Sequence, residues 1–344
     1  MRFLPYSNSL HRYKFKREIN KIKIIELVVA LLFISIFAGI IYENISDNRV
    51  TTKFKAKYKY SSVDNNKIAY GTAGTGKYTV VLDSSVGATS QEWTKLIKSP
   101  SKDIRFYYYD RFGYGLSQST DKPLTLEEQG KALHTILKKS GLKSPYILVG
   151  NSYGSLVITN YAKNYPEEVG GIILIDPPTS EEIASEEFIS NNKKELRNKK
   201  VQQFLSSFGI LRIMDKLNSY GDGGELLDSL SGENKEFLKS NRVTRKYINA
   251  YSNELRNTTA IDKEFMNNEN LKKVPLFIIT KKNKLKDEIK EKQRIDFLDS
   301  LSQMSSDGKL EVVEEQGNIP LRQAEYLSGV ISNLTKKVMR IYEK

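Results

Sequence analysis

The sequence predicts an α/β protein: a mostly parallel central sheet with helices on both faces, a helical cap insertion, and an N-terminal transmembrane helix. Three observations predict it. From residue 57 onward, short apolar runs rich in Val, Ile, Tyr and Phe alternate with stretches of helical period. Between Pro178 and about residue 270 that alternation gives way to charged helical sequence such as "SEEIASEEFISNNKKELRNKKVQQFLSSFGILRIMDKL". Near the N-terminus, "IIELVVALLFISIFAGIIY" (24–42) is almost wholly apolar.

The first elements are the basic segment and the apolar run. Residues 1–23 carry Arg2, Arg12, Lys14, Lys16, Arg17, Lys21 and Lys23 against Glu18 alone. A helix over 24–42 rises about 1.5 Å per residue and so matches the roughly 30 Å hydrocarbon core of a bilayer. The basic flank then puts 1–23 in the cytoplasm and everything after 42 outside. A cleaved signal peptide is the competing reading. Against it, the run exceeds the usual signal length and no A-x-A-like site follows. Residues 43–56 read as a polar stalk, and 57–344 as the folded domain.

Within that domain "FKAKYKYSSV" and "NKIAYGTA" read as a first strand pair. "YTVVLDSS" (78–85) and "IRFYYYD" (104–110) are the next strands. "LTLEEQGKALHTILKKSGL" (124–142) has helical period, and Gly141 suits its end. "YILVG" (146–150) is a strand, followed by a helix over "SLVITNYAKNYP". "GGIILIDPP" (170–178) is a strand closed by two prolines, and the cap insertion occupies about 178–270. A cap in that place covers the strand ends where ligands bind in open α/β sheets. "VPLFIIT" (274–280), "KLEVVEE" (309–315) and the amphipathic helix "AEYLSGVISNLTKKVMRIYEK" complete the chain. "GTAGTGKY" (71–78) nearly matches a phosphate loop, but Tyr78 replaces the required hydroxyl residue and a strand follows where a helix should open. A glycine-rich hairpin is the expected structure there.

Composition narrows the function classes. At 344 residues, 39% hydrophobic and 28% charged, the chain has core enough for one large domain or two small ones. It contains no cysteine, which excludes disulfides, thiolate metal sites and a cysteine nucleophile. It contains two histidines, His11 and His134. Of the net charge of +13, part is local to residues 1–23 and the rest is spread over Lys-rich helical segments, with no nucleic-acid motif and no basic stripe interleaved with aromatics. The excess therefore reads as solvated surface, and no nucleic-acid partner is expected.

Four segments in order carry a family resemblance: "VVLDSSVGATSQEW" (80–93), "YDRFGYGLSQS" (109–119), "GNSYGSL" (150–156) and "GIILIDPP" (171–178). Together the chain resembles the α/β-hydrolase fold family over residues 57 to 178, and less sharply to the C-terminus. The resemblance implies that "GNSYG" is a nucleophile elbow and Ser152 its nucleophile. It implies an oxyanion hole built from the backbone N–H groups of Tyr153 and Ser85. Asp110 and Arg111 are expected to hold the oxyanion loop rather than react.

The resemblance also exposes a gap. In this family a histidine should follow the last strand, and here Asn318 occupies that position after Gly317. Asn cannot take a proton and pass it on. The usual acid position after the 274–280 strand reads Lys281, Lys282, Asn283, Lys284. Asp176, at the end of the preceding strand, is the candidate acid; its other reading is a residue capping the turn. His134 lies on the helix before the elbow strand, away from the strand tips, and His11 lies across the membrane from the domain. Glu314 or Glu315 would be a poor base, since a glutamate titrates near 4.3 unless buried.

Two functions stay open. One is a membrane-anchored, extracytoplasmic serine hydrolase of small-molecule ester or acyl bonds, with no metal or other cofactor and with activity impaired by the missing histidine. The other is a pseudo-hydrolase that binds a ligand or protein partner. A transport or signalling subunit is a third reading, with the single anchor alone behind it.

Overall fold

In a computed structural model the described residues are 21–221, 224–259, 274–282, 285, 287–314 and 317–343. The strands are β1 (Lys59–Val63), β2 (Asn66–Ala73), β3 (Tyr78–Asp83), β4 (Ile104–Tyr109), β5 (Tyr146–Asn151), β6 (Val169–Ile175), β7 (Leu276–Lys281) and β8 (Gly308–Val313). They form one sheet in the order β1-β2-β4-β3-β5-β6-β7-β8. β1 and β2 are antiparallel, as are β2 and β4; every later pairing is parallel. The expected mostly parallel sheet is therefore present.

Two details differ from the sequence reading. The stretch 54–63 becomes strand only at Lys59, because Phe54 and Lys55 still belong to the N-terminal helix. The glycine-rich segment 71–78 is not a hairpin, because β4 lies between β2 and β3. The tight hairpin is instead β1–β2, where Asp64 and Asn65 take φ of 49° and 64° between the paired residues Val63 and Asn66. Two consecutive positive φ angles match the twist of flanking strands, and Asp and Asn tolerate them.

Strand alternation sends successive side chains to opposite faces. Val81 and Leu148 join α2 (Leu126–Lys139), α3 (Tyr153–Asn164) and α10 (Glu288–Ser302) in one apolar cluster. Val80, Leu82, Ile147 and Val149 face Trp93 and the buried stripe Leu327, Ile331, Leu334 and Val338 of α12 (Ala324–Tyr342). β5 and β6 are buried on both faces, as a central parallel strand requires. α2 starts where the Thr125 hydroxyl accepts the Glu128 N–H at 3.2 Å, and Gly141 follows its end with φ of 71°.

The sequence reading passed over α10. Its buried stripe is Arg294, Leu298, Leu301 and Ser302, so an arginine and a serine interrupt the apolar period. Arg294 is fully buried and pairs with Glu291 at 2.7 Å.

Six described helices lie between β6 and β7, in the stretch read from the sequence as a cap. They are α4 (Ser180–Ala184), α5 (Glu186–Ser206), α6 (Ile210–Lys216), α7 (Gly224–Ser229), α8 (Gly232–Arg242) and α9 (Arg245–Thr259). The remainder, to about residue 270, lies outside the described residues. The cap has its own apolar cluster, including Leu211, Leu238 and Ile248, which closes over Tyr114 and Leu321 of the sheet domain.

α1 (Lys21–Lys55) is one helix of 35 residues that runs through both the apolar segment and the polar stretch after it. Its end is fixed to the cap. Phe54 packs on Phe237 with ring centroids 4.5 Å apart, and Lys53 and Lys57 both pair with Glu233. Among the described residues, no helix is long and apolar enough to cross a membrane. The side chains of residues 32, 35 and 36, inside the 24–42 run, fall outside that description. Residues 1–20, His11 among them, also lie outside it.

Candidate active site

The elbow is built from backbone geometry. β5 ends at Asn151, α3 begins at Tyr153, and Ser152 between them takes φ 49° and ψ −113°. A non-glycine residue at positive φ is strained and must be held by its surroundings. Here the Ser152 N–H donates to the Ile175 carbonyl at 2.8 Å, and the Ser155 hydroxyl donates to the Gly150 carbonyl at 2.8 Å. The two flanking glycines are steric requirements. A Cβ on Gly150 would lie 2.5 Å from the Gly154 backbone, and one on Gly154 would lie 2.3 Å from the Asp83 carbonyl oxygen. That is the physical content of G-x-S-x-G in this chain. Among the described residues the Ser152 hydroxyl has no hydrogen-bond partner, and it does not cap α3.

Across from the elbow stands Glu92, on a short 3-10 turn over Ser90–Trp93. Its side chain is fully buried. One carboxylate oxygen accepts the Ser85 N–H at 2.8 Å. The other accepts the Ser85 hydroxyl at 2.8 Å, the Asn151 amide at 2.8 Å and the Asn318 amide at 2.6 Å. Burial pushes the Glu92 carboxyl above its ordinary range, and these donors pull it back part of the way. The Ser85 N–H expected to serve an oxyanion is thus engaged by a side chain of the same loop.

Arg111 nails the rest of that loop in place. Its guanidinium donates to the Asp83 carboxylate, to the Ser84 carbonyl at 2.6 Å and to the Ser85 carbonyl at 3.0 Å. It also makes a forked pair with Glu254 of α9, at 2.7 and 3.1 Å. Glu254 and Asp83 hold Arg111 charged, although burial alone would favour losing the proton. The Tyr114 hydroxyl donates to Glu254 at 2.8 Å, and the Tyr247 hydroxyl donates to the Gly87 carbonyl at 2.6 Å. Asp110 accepts the Ser90 N–H at 2.8 Å and the Leu116 N–H at 3.2 Å. Asp110 and Arg111 thus hold the loop, the role expected of them.

Asn318 begins the short helix α11 (Ile319–Arg322). Its carbonyl oxygen accepts the Leu321 N–H at 3.1 Å while its amide faces Glu92. Asp176 sits at the tip of β6 with φ 45°, its N–H on the Ile279 carbonyl at 2.6 Å. Its carboxylate accepts the Thr280 hydroxyl at 3.0 Å, and Arg294 donates to that hydroxyl at 2.6 Å. Lys281 pairs with Glu225 and Lys282 with Glu314; Asn283, Lys284 and Glu315 lie outside the described residues. His134 stacks on Tyr165 at 3.9 Å and faces Glu168 at 3.3 Å. Glu168 precedes β6, whereas Ser152 follows β5, so His134 is at the opposite edge of these parallel strands.

Ser152, Tyr153, Ser85 and Asn318 are therefore gathered at one sheet edge, with Asp176 on the neighbouring strand tip. Glu92 is the residue sequence reasoning missed. Its signal was a lone charged side chain within residues 84–93, beside Trp93. Cavities of about 430 Å³ against α12 and about 310 Å³ between the cap and residues 112–124 are not lined by Ser152. Among the described residues no group of three or more His, Asp or Glu side chains is placed to hold a metal ion.

Comparison with known proteins adds ancestry. Residues 78–315 match a family described as alpha/beta hydrolase fold. The chain is 32% identical over 165 residues to the uncharacterized protein YbdG of Bacillus subtilis, covering 46% of this chain and 49% of that one. It is 31% identical over 123 residues to monoacylglycerol lipase abhd6-B of Xenopus laevis, covering 35% of this chain and 36% of that one. The chain spans about half or less of the length of these curated relatives. Among solved structures, the Cif epoxide hydrolase from Acinetobacter nosocomialis superposes with a TM-score of 0.64 at 15% identity, covering 85% of this chain and 96% of that one. A thermophilic esterase from Thermogutta terrifontis does so with a TM-score of 0.59 at 17% identity, covering 82% and 98%. At such identities the likeness is one of fold.

Proposed function

The chain belongs to the α/β-hydrolase fold family, and from that premise we propose that it binds a small ester- or acyl-bearing molecule at Ser152 with turnover impaired or lost. The observation that carries this reading is the set of contacts at Glu92. The expected oxyanion donor, the Ser85 N–H, and the amide of Asn318 in the histidine position both point at that carboxylate. Neither then serves the serine. A hydroxyl is a weak nucleophile without a base. In serine proteases the loss of that base costs on the order of 10⁶ in turnover, leaving roughly 10³–10⁴ over water. Asp176, bound to Thr280, is the acid of the site in this reading, with no histidine to orient.

The strained Ser152 supports a second reading, a hydrolase that retains slow acyl transfer. A fluorophosphonate probe decides between them. In the full chain, mass gain on Ser152 that is absent from Ser152→Ala would show an activated serine and sink the binding-only reading. No gain in the parent but gain in Asn318→His would show an intact frame lacking its base.

The same proposal places the domain outside the membrane on an uncleaved anchor over 24–42. Support comes from the apolar run, its basic flank, and the exposure of Ile34 (64%) and Phe37 (65%) on α1.

A further inference from the structure

We propose that the cap docks on the outer leaflet of the bilayer through an apolar patch on α5 and α6, beside the point where α1 leaves the membrane. This rests on the anchor reading above. The first observation is a close backbone crossing. A Cβ on Gly39 would lie 2.0 Å from the Phe208 carbonyl oxygen, and one on Gly209 would lie 2.6 Å from the Gly39 carbonyl oxygen. Glycine on both sides lets the last turn of the apolar run touch the link between α5 and α6. One turn later, Lys216 stands 4.8 Å over the Tyr42 ring. The cap is thus fixed at the level of the membrane exit.

The second observation is what the cap exposes there. Val201 (60%), Phe204 (65%), Ile213 (47%) and Leu217 (72%) are open, with Ile210 at 37%. Arg197 and Lys200 sit one turn before Val201 and Phe204 and are also exposed, as is Lys216. Residues four apart share a helix face, so apolar tips and basic heads are interleaved. That is the pattern of a helix lying in the headgroup plane, with apolar tips toward the acyl chains and basic heads toward lipid phosphates. The far side of α5 packs on α9, whose Tyr247 holds the oxyanion loop through Gly87.

The chain contains no cysteine, so a single introduced one is a unique label site. Nitroxides would be placed on Phe204→Cys, Ile213→Cys and Leu217→Cys in the full chain, reconstituted in phosphatidylcholine–phosphatidylglycerol vesicles. Ile34→Cys reports the anchor, and Ile289→Cys, apolar and 72% exposed on α10, reports water. Collision with oxygen against a water-soluble nickel chelate is the readout. The expected result is a several-fold loss of nickel broadening at the three patch sites relative to Ile289→Cys, with oxygen collision close to that at Ile34→Cys. Patch sites that match Ile289→Cys while Ile34→Cys reads lipid would overturn the docking and leave the anchor standing. Ile34→Cys in water would overturn both. Spin–spin broadening at the patch would assign it to a second copy of the chain, and the lipid proposal would fall.

Discussion

Replacing Glu92 by alanine tests the centre of the site. The side chain is fully buried and accepts four hydrogen bonds. The Ser85 hydroxyl can rotate to water at the part-buried rim. The Ser85 N–H and the Asn151 and Asn318 amides are held by backbone or packing and lose their acceptor. Each buried donor left unsatisfied costs about 1–3 kcal/mol. Three of them give at least about 3 kcal/mol, and relief from burying a carboxylate keeps the loss near that lower bound. For a domain of this size, about 3 kcal/mol corresponds to a fall of roughly 6–12 °C in Tm. Scanning calorimetry on parent and Glu92→Ala would measure it, with Glu128→Ala on the exposed side of α2 as control. A fall within about 1 °C of the control would refute the reasoning, because the carboxylate would then not be organising the loop.

The pH dependence of the same residue has a definite sign. Burial raises the folded Glu92 above the ordinary value of 4.5, so between those two values the folded state binds more protons than the unfolded one. The stability of the parent, measured against Glu92→Gln, should therefore rise as pH falls through the folded value and level off below 4.5; denaturant midpoints at several pH values check it, and a rise with increasing pH would contradict it. Ser152→Gly should raise Tm, because relief of positive φ at an L-residue contributes about 1 kcal/mol or more; a lower Tm would mean that the elbow is not strained. Arg111→Met leaves the carboxylates of Asp83 and Glu254 buried without their cation and should cost about 3–5 kcal/mol, read as lost thermal stability and as proteolysis of the cap.

Much of the fold was legible because the parallel strands are apolar on both faces and stand out from the charged helices. The elbow was legible because backbone crowding at Gly150 and Gly154 permits no side chain. The end of α1 was misread because "FKAKY" alternates like a strand, while tertiary contacts of Phe54 with Phe237 keep it helical. The order of β2, β4 and β3 was not legible, since local sequence does not encode which strand lies beside which. Glu92 escaped notice for a related reason. Its four hydrogen bonds come from residues 85, 151 and 318, and only folding brings the last two to it.

Arg111 joins the floor of the site to the cap through a buried guanidinium with carboxylates on either side. Hinged opening of α9 would either part Glu254 from a buried guanidinium, leaving buried charge unpaired, or drag Ser84 and Ser85 with it. The amides of Ser84 and Ser85 and those of α9 should accordingly exchange with solvent through one shared opening event.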